Sequence, residues 1–107
     1  MMFDKDEFIV NLKAIDTLIG SENAADCIAL YTIYCREACV HHSMTVKASD
    51  DYLRDLLGWG RTRMKKAKDD LVRHGWVERL ERRRPDGTIE GWYVRVMGVQ
   101  FLTWDFS

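Results

Sequence analysis

The fold is decided by residues 49–75, which read SDDYLRDLLGWGRTRMKKAKDDLVRHG. Ser49 is a good helix N-cap, and the two aspartates that follow it suit the positive end of a helix dipole. Gly58-Trp59-Gly60 interrupts the helical pattern, since glycine accepts the positive φ that a tight turn between helices needs. The stretch therefore predicts two helices joined by a short turn, with Gly75 ending the second.

Apolar residues at helical spacing predict the buried side of each helix. The expected inner residues of the first helix are Tyr52, Leu53, Leu56 and Leu57. The second helix is expected from about Arg61 to His74. Its expected inner residues are Met64, Ala67 and Leu71.

A β-hairpin is predicted downstream, with strands at residues 76–84 and 88–97 around Pro85-Asp86-Gly87. Proline pre-sets φ for the first turn position, and glycine accepts a left-handed conformation. Alternation divides the returning strand into two faces: Trp92, Val94 and Val96 on one, Tyr93 and Arg95 on the other.

Two more helices and a short strand are predicted upstream. Asp4, with a glutamate three residues later, favours a first helix that ends before Gly20, although Phe8-Ile9-Val10 could also begin a strand. Ser21 is the expected N-cap of a second helix over about residues 22–41, which is apolar almost all round. That helix must be buried on more than one side, at the centre of the domain, at a subunit interface, or both. Thr45-Val46-Lys47 is short and β-inclined.

The composition suits one compact domain of 107 residues, 47% of them hydrophobic. We expect residues 1–20 to form an N-terminal helix or arm and residues 21–97 the core. Residues 98–107 are apolar and are expected to pack on the domain or on a second subunit. No apolar run approaches the ~18 residues of a membrane span and no signal peptide is evident, so a cytoplasmic protein is expected. The three cysteines are an odd number, which favours thiols over disulfides.

Charge is unevenly distributed along the chain, whose formal net charge is −1. Residues 1–44 carry three basic and seven acidic side chains, a balance of −4. Residues 45–97 carry thirteen basic and nine acidic side chains, a balance of +4. Since a phosphate backbone responds to the local field, the basic part is where a nucleic-acid partner is expected.

The predicted order of helix, short strand, helix, glycine-containing turn, helix and hairpin resembles the winged helix-turn-helix domains of bacterial and phage regulators and replication initiators. The shared pattern lies at Leu57-Gly58, Gly60, Arg61 to Lys68, Leu71, Gly75, Trp76 and Val77. Gly60 departs from it, because such families often place a Ser or Thr N-cap there. The resemblance implies a mainly α fold with a small β-hairpin, of the α+β class, and double-stranded DNA as the partner.

The second helix of the pair would then be the recognition helix, and five of the eight residues from 61 to 68 are Lys or Arg. Its candidate DNA-binding residues are Arg61, Thr62, Arg63, Lys65, Lys66, Lys68 and Arg73. Arg61 or Arg63 is expected to pair with guanine, and Thr62 to contact a phosphate or a thymine methyl. The lysines are expected on phosphates. The alternative is an ordinary solvated helix face.

A second basic patch, Arg82-Arg83-Arg84, lies at the hairpin end, where a wing could reach the minor groove or nearby phosphates. Arg83 and Arg84 are the expected contacts because they are nearest the tip. For Arg82, the alternative to a DNA contact is a pair with Glu90 across the hairpin.

Other chemistry is weakly supported. Cys35, Cys39, His41 and His42 are zinc-type ligands, but their spacing is unlike common zinc motifs, so core packing and helix-end positions are preferred. Trp59, Trp76, Trp92 and Trp104 could stack on bases, although tryptophans next to turns and on strand faces are more typical of a core or an interface. The sequence contains no recognisable catalytic constellation, and neither a cofactor nor a small-molecule substrate is expected.

These observations predict a homodimeric protein that binds double-stranded DNA, as a transcriptional regulator or a replication-initiation component of phage or plasmid type. The alternative is a winged-helix module that binds another protein through its apolar N-terminal helices and its C-terminal segment, the basic face being incidental.

Overall fold

A computed structural model of the chain describes residues 12–47 and 49–97. This part has an α+β fold, as predicted. Its helices are α1 (Leu12–Ile19), α2 (Ala24–His41), α3 (Asp50–Leu57) and α4 (Arg61–Arg73). Its strands are β1 (Thr45–Val46), β2 (Val77–Arg83) and β3 (Ile89–Val96). The predicted helix start at Asp4 and the apolar segment 98–107 lie outside the described residues.

The strands form one antiparallel sheet in the order β1–β3–β2. Val77 pairs with Val96 and Arg79 with Val94, so these side chains share the face that packs on the helices. Strand β1 pairs only with Arg95 and Val94. The β3 edge before Val94 is therefore left without a β1 partner.

Helix α2 is the centre of the domain. It packs against α1, α4, β1 and β3, and Leu30, Tyr31, Tyr34 and Cys35 are fully buried. The Tyr31 hydroxyl donates to the Met97 carbonyl at 2.9 Å. The nearly all-apolar circumference of α2 thus reflects burial on several sides within one chain.

The predicted N-cap of α2 was wrong. The helix begins at Ala24 with Asn23 in the cap position, and no side chain caps it. Ser21 instead belongs to the end of α1, because its hydroxyl donates to the Leu18 carbonyl at 2.7 Å. A serine after a helix can bond back to that helix as well as forward to the next.

Helices α3 and α4 form the predicted pair with a short turn. The Ser49 hydroxyl accepts from the Tyr52 amide at 3.1 Å, which confirms the cap. Gly58 adopts φ +70° and ends α3, and the Trp59 amide donates to the Arg54 carbonyl at 3.1 Å. Helix α4 starts at Arg61 with no side-chain cap at Gly60. Its predicted inner residues, Met64, Ala67 and Leu71, are buried.

The predicted inner face of α3 was half wrong. Leu53 is fully buried, whereas Tyr52 and Leu56 are 43% and 45% exposed. A helix of eight residues presents one narrow stripe to its neighbours, and the stripe that includes Leu53 and Leu57 takes that position. Tyr52 lies beside the stripe, and its hydroxyl donates to Glu37 Oε1 at 3.0 Å.

The hairpin turns at the predicted place, with Gly87 at φ +89°. The Arg84 amide donates to the Thr88 carbonyl at 2.8 Å and closes the turn. Val94 and Val96 are buried against the helices, but Trp92, on the same face, extends past them and is 62% exposed. No helix among residues 12–47 and 49–97 is long and apolar enough to cross a membrane.

Candidate nucleic-acid interface

The basic residues of α4 lie on two flanks of the helix. The hairpin-side flank consists of Arg61, Lys65 and Lys68, whose spacing of four and three keeps them on one stripe. The α2-side flank consists of Arg63, Lys66 and Arg73. Between these flanks and opposite the buried face, Thr62 is exposed.

Arg63 is held by α2. Its Nε and Nη2 atoms donate to Asp26 Oδ2 and Oδ1, both at 2.9 Å, and its guanidinium lies 4.7 Å from the centre of the Trp59 ring. The hydrogen bonds from Arg63 hold the pKa of the Asp26 carboxyl below its ordinary value. Arg63 therefore links α4 to α2 and to the turn, and it would have to leave Asp26 before contacting a base.

The Asp26–Arg63 pair should make stability depend on pH. The folded-state pKa of Asp26 is lowered. The pair therefore stabilises the folded protein at pH values above the unfolded-state pKa near 4, and this stabilisation is lost as pH falls through the folded-state pKa. A double-mutant cycle of Asp26→Asn and Arg63→Ala, followed by urea denaturation, should give favourable coupling at pH 7. The coupling should decrease as pH falls through the lowered folded-state pKa of Asp26, and coupling that does not change with pH would show that the pair is not ionic.

The other two cations of the α2-side flank share one buried carboxylate. Lys66 Nζ lies 3.4 Å from Asp70 Oδ2, and Arg73 Nη2 lies 3.0 Å from Asp70 Oδ1. Asp70 is buried, whereas both cations remain more than half exposed. Their charges therefore face solvent but are partly neutralised by this carboxylate.

The hairpin-side flank meets α3 and β2. Lys65 Nζ pairs with Asp69 at 2.8 Å, and Lys68 Nζ pairs with Asp50 of α3 at 3.0 Å. Asp69 also pairs with Arg79 of β2, and its pKa is lowered by the hydrogen bonds from Lys65 and Arg79. Arg61 makes no hydrogen bond or ion pair within the described part of the chain, so its guanidinium is available to a ligand.

Arg79, Lys47 and Arg54 were missed by sequence reasoning. Arg79 and Lys68 line both surface grooves beside this flank, with Arg54 in one and Lys47 in the other. The signal for Arg79 was present, since it alternates with Val77 and so faces the helices. The position of Lys47 depends on how β1 joins the sheet, which local sequence does not specify.

Including these additions, the hairpin side is the more cationic. Six basic side chains there face three carboxylates, for an excess of three: Arg61, Lys65, Lys68, Arg79, Lys47 and Arg54 against Asp50, Asp51 and Asp69. On the α2 side, three basic side chains face Asp26 and Asp70, an excess of one. Phosphate attraction should therefore be stronger on the hairpin side.

At the hairpin end, Arg82 does not pair with Glu90, which was the alternative to a DNA contact. The register changes between Arg82, which is opposite Gly91, and Arg83, which is opposite Ile89, so Glu90 has no direct partner on β2. The Arg82 guanidinium lies 4.6 Å from the centre of the Tyr93 ring instead.

Arg83 and Arg84 are exposed near the hairpin tip. Arg83 bonds to Glu81 and to the Gly87 carbonyl, each at 2.8 Å. Arg84 Nη1 contacts the Thr88 hydroxyl at 3.4 Å. Among the described residues Arg84 has no carboxylate partner, and it is the less neutralised of the two.

The cysteine–histidine group is not arranged as a metal site in the described part of the chain, where no three His, Cys, Asp or Glu side chains are grouped for one ion. Cys35 and Cys39 are buried and not joined in a disulfide. Burial raises the pKa of Cys35 to about 12, which disfavours the thiolate that a metal would need. His41 Nε2 lies 3.4 Å from Glu37 Oε2.

The tryptophans differ in exposure. Trp59 is buried in the core, Trp76 is half-buried against it, and Trp92 is exposed. Trp104 lies outside the described residues.

In comparisons with known proteins, no protein-family model, curated protein or solved structure matches the chain. The candidate interface is therefore defined by its own geometry: the outward side of α4, the two grooves beside it and the hairpin tip.

Proposed function

We propose that this chain binds double-stranded DNA as a winged helix-turn-helix domain, with α4 as the recognition helix and the β2–β3 hairpin as the wing. The observation that carries the proposal is the cationic outer side of α4, directly after the tight turn at Gly58. The element order α2, β1, α3, α4, β2, β3 supports it, since this is the order that the resemblance implied.

Base contacts come from the start of α4. A helix of this kind fits the major groove of B-DNA, and its early outward residues reach base edges. Arg61 is the first candidate for a bidentate contact with guanine, because no side chain of the described residues occupies it. Arg63 is the second, after release from Asp26, and Thr62 lies between them.

Phosphate contacts come from Lys65, Lys66, Lys68 and Arg73, and from Arg83 and Arg84 at the wing. Most of these cations pair with carboxylates of the chain. The Lys65–Asp69 and Arg83–Glu81 pairs are exposed, and such pairs generally contribute only about 0.2–1 kcal/mol, so a phosphate can replace their carboxylates at small cost. Lys66 and Arg73 share Asp70, so one of them can contact a phosphate while the other stays with that carboxylate. The paired cations are therefore compatible with DNA binding.

The roles of individual side chains can be tested on a duplex selected from a random pool and on a scrambled duplex. Arg61→Ala and Arg63→Ala should reduce the preference for the selected duplex, because base contacts specify sequence. Lys66→Ala should weaken binding to both duplexes equally. An equal loss on both duplexes for Arg63→Ala would remove Arg63 from base recognition.

At the level of biology, we propose a non-enzymatic cytoplasmic protein that acts as a homodimer, as a transcriptional regulator or a phage- or plasmid-type replication-initiation component. The +4 balance of residues 45–97 and the acidic residues 1–44 support a molecule with one DNA-facing side.

A second candidate is a protein-interaction module without DNA binding. Exposed apolar side chains on α2 and α3 favour it, namely Val40 at 61% exposure together with Tyr52 and Leu56. The two candidates differ in their response to salt, because only phosphate binding releases counterions from DNA.

A further inference from the structure

Trp92 lies in solvent, whereas the next two β3 side chains on its face of the sheet are buried. It shares this face with Val94 and Val96, which are buried under the helices. Trp92 is 62% exposed, more than any other large hydrophobic side chain of the described residues. A single exposed apolar side chain is common on protein surfaces, so the case for a binding site depends on what lies beside Trp92.

Beside Trp92 lies a groove between the hairpin, α4 and the start of α3, which we call the hairpin groove. Its volume is about 530 Å³, and its lining includes Lys47, Asp50, Lys68, Arg79, Trp92 and Val94. That volume lies within the roughly 300–1,000 Å³ typical of ligand pockets. The groove therefore has space for a group the size of a nucleotide.

The charges of the groove favour an anion. Lys47, Lys68 and Arg79 contribute three positive charges. Asp50 pairs with Lys68 at 3.0 Å and Asp69 pairs with Arg79, so a net excess of one positive charge remains. A carboxylate alone would use these cations but leave the face of the Trp92 ring in water. An unpaired nucleotide would use both, with its base stacked on indole and its phosphate near the cations.

The hairpin groove adjoins the surface proposed for duplex DNA. Lys68 and Arg79 line it and also line the neighbouring groove that contains Arg61 and Lys65. A strand leaving a duplex bound on α4 can therefore continue along the same cations to Trp92. Bases inside a duplex are stacked on each other and cannot stack on this ring.

We propose that the hairpin groove binds an unpaired nucleotide next to the duplex, so that the protein prefers a junction between double-stranded and single-stranded DNA over a blunt duplex. The junction preference rests on the proposed duplex binding, whereas stacking on Trp92 does not.

The experiment is a fluorescence anisotropy titration of the full chain with three labelled DNAs. These are a blunt duplex, the same duplex in which one strand carries thymidine overhangs at both ends, and the single strand alone. Overhang binding should be about tenfold tighter than blunt binding, as expected for one or two stacked bases. Trp92→Ala should abolish this difference and leave blunt-duplex binding within about twofold of wild type. Trp92→Phe should retain part of it, and thermal denaturation should show that both variants fold.

The outcomes separate the two proposals. Tight binding to blunt duplex with no gain from an overhang, or a gain that survives Trp92→Ala, overturns the groove proposal and leaves duplex binding intact. Single-strand binding that depends on Trp92 without duplex binding supports the groove and overturns the proposed function. Loss of self-association in Trp92→Ala by light scattering, with no overhang effect, would make the groove a contact between copies and also overturn the nucleotide site.

Discussion

The double variant Arg61→Ala, Lys65→Ala is expected to bind duplex DNA about a hundredfold more weakly than wild type at physiological salt. Arg61 is proposed to contact a base, and loss of such a contact costs about 1–3 kcal/mol, or roughly 5- to 150-fold in affinity. Lys65 is proposed to contact a phosphate, so its loss should weaken binding to every sequence. It should also reduce the magnitude of the salt slope by about one.

A matched control is the double variant Lys13→Ala, Arg95→Ala. It also removes one lysine and one arginine, and both side chains are exposed on other parts of the domain, Lys13 on α1 and Arg95 on the sheet face opposite the helices. Neither residue belongs to the proposed DNA-contacting surface, and charges beyond a Debye length of about 8 Å from the DNA are screened, so binding should change by no more than about twofold. Equal losses in the two double variants would mean that overall charge, and not α4, governs binding.

Leu53→Ala is expected to destabilise the protein by about 2–5 kcal/mol. Leu53 is fully buried in the core and holds α3 in place. Because α3 packs against α4, this loss would also loosen the proposed recognition helix. Urea denaturation followed by circular dichroism measures the free energy of unfolding directly.

The control on the same helix is Leu56→Ala. Leu56 is 45% exposed, and surface substitutions usually change stability by less than about 0.5 kcal/mol. Comparing the two variants is informative because the hydrophobic pattern alone places both Leu53 and Leu56 on the buried face of α3. Similar losses for Leu53→Ala and Leu56→Ala would mean that α3 packs with a different face than the structure has.

Local signals determined which elements could be predicted. The Ser49 cap, the glycines at 58 and 87 and the spacing of Met64, Ala67 and Leu71 each act within a few residues, and all were read correctly. The start of α2 was misassigned because Ser21 can serve either neighbouring helix. The face of α3 was misassigned because packing, and not composition, selects between adjacent apolar stripes.

The candidate site was predictable only where it lies on one element. The cations of α4 follow from helical spacing, and so does their division into two flanks. Arg79 and Lys47 come from separate strands and reach α4 only through the order of the sheet. The Asp26–Arg63 pair joins residues 37 positions apart, which no local pattern indicates. The irregular register near Glu90 likewise depends on how the two strands meet.

Duplex DNA binding measured at several salt concentrations tests the central claim most directly. With about five to eight phosphates contacted by α4 and the wing, the logarithm of the association constant should fall against the logarithm of salt concentration with a slope of about −5 to −7. A flat response, or no binding at low salt, would contradict DNA binding and favour the protein-interaction module.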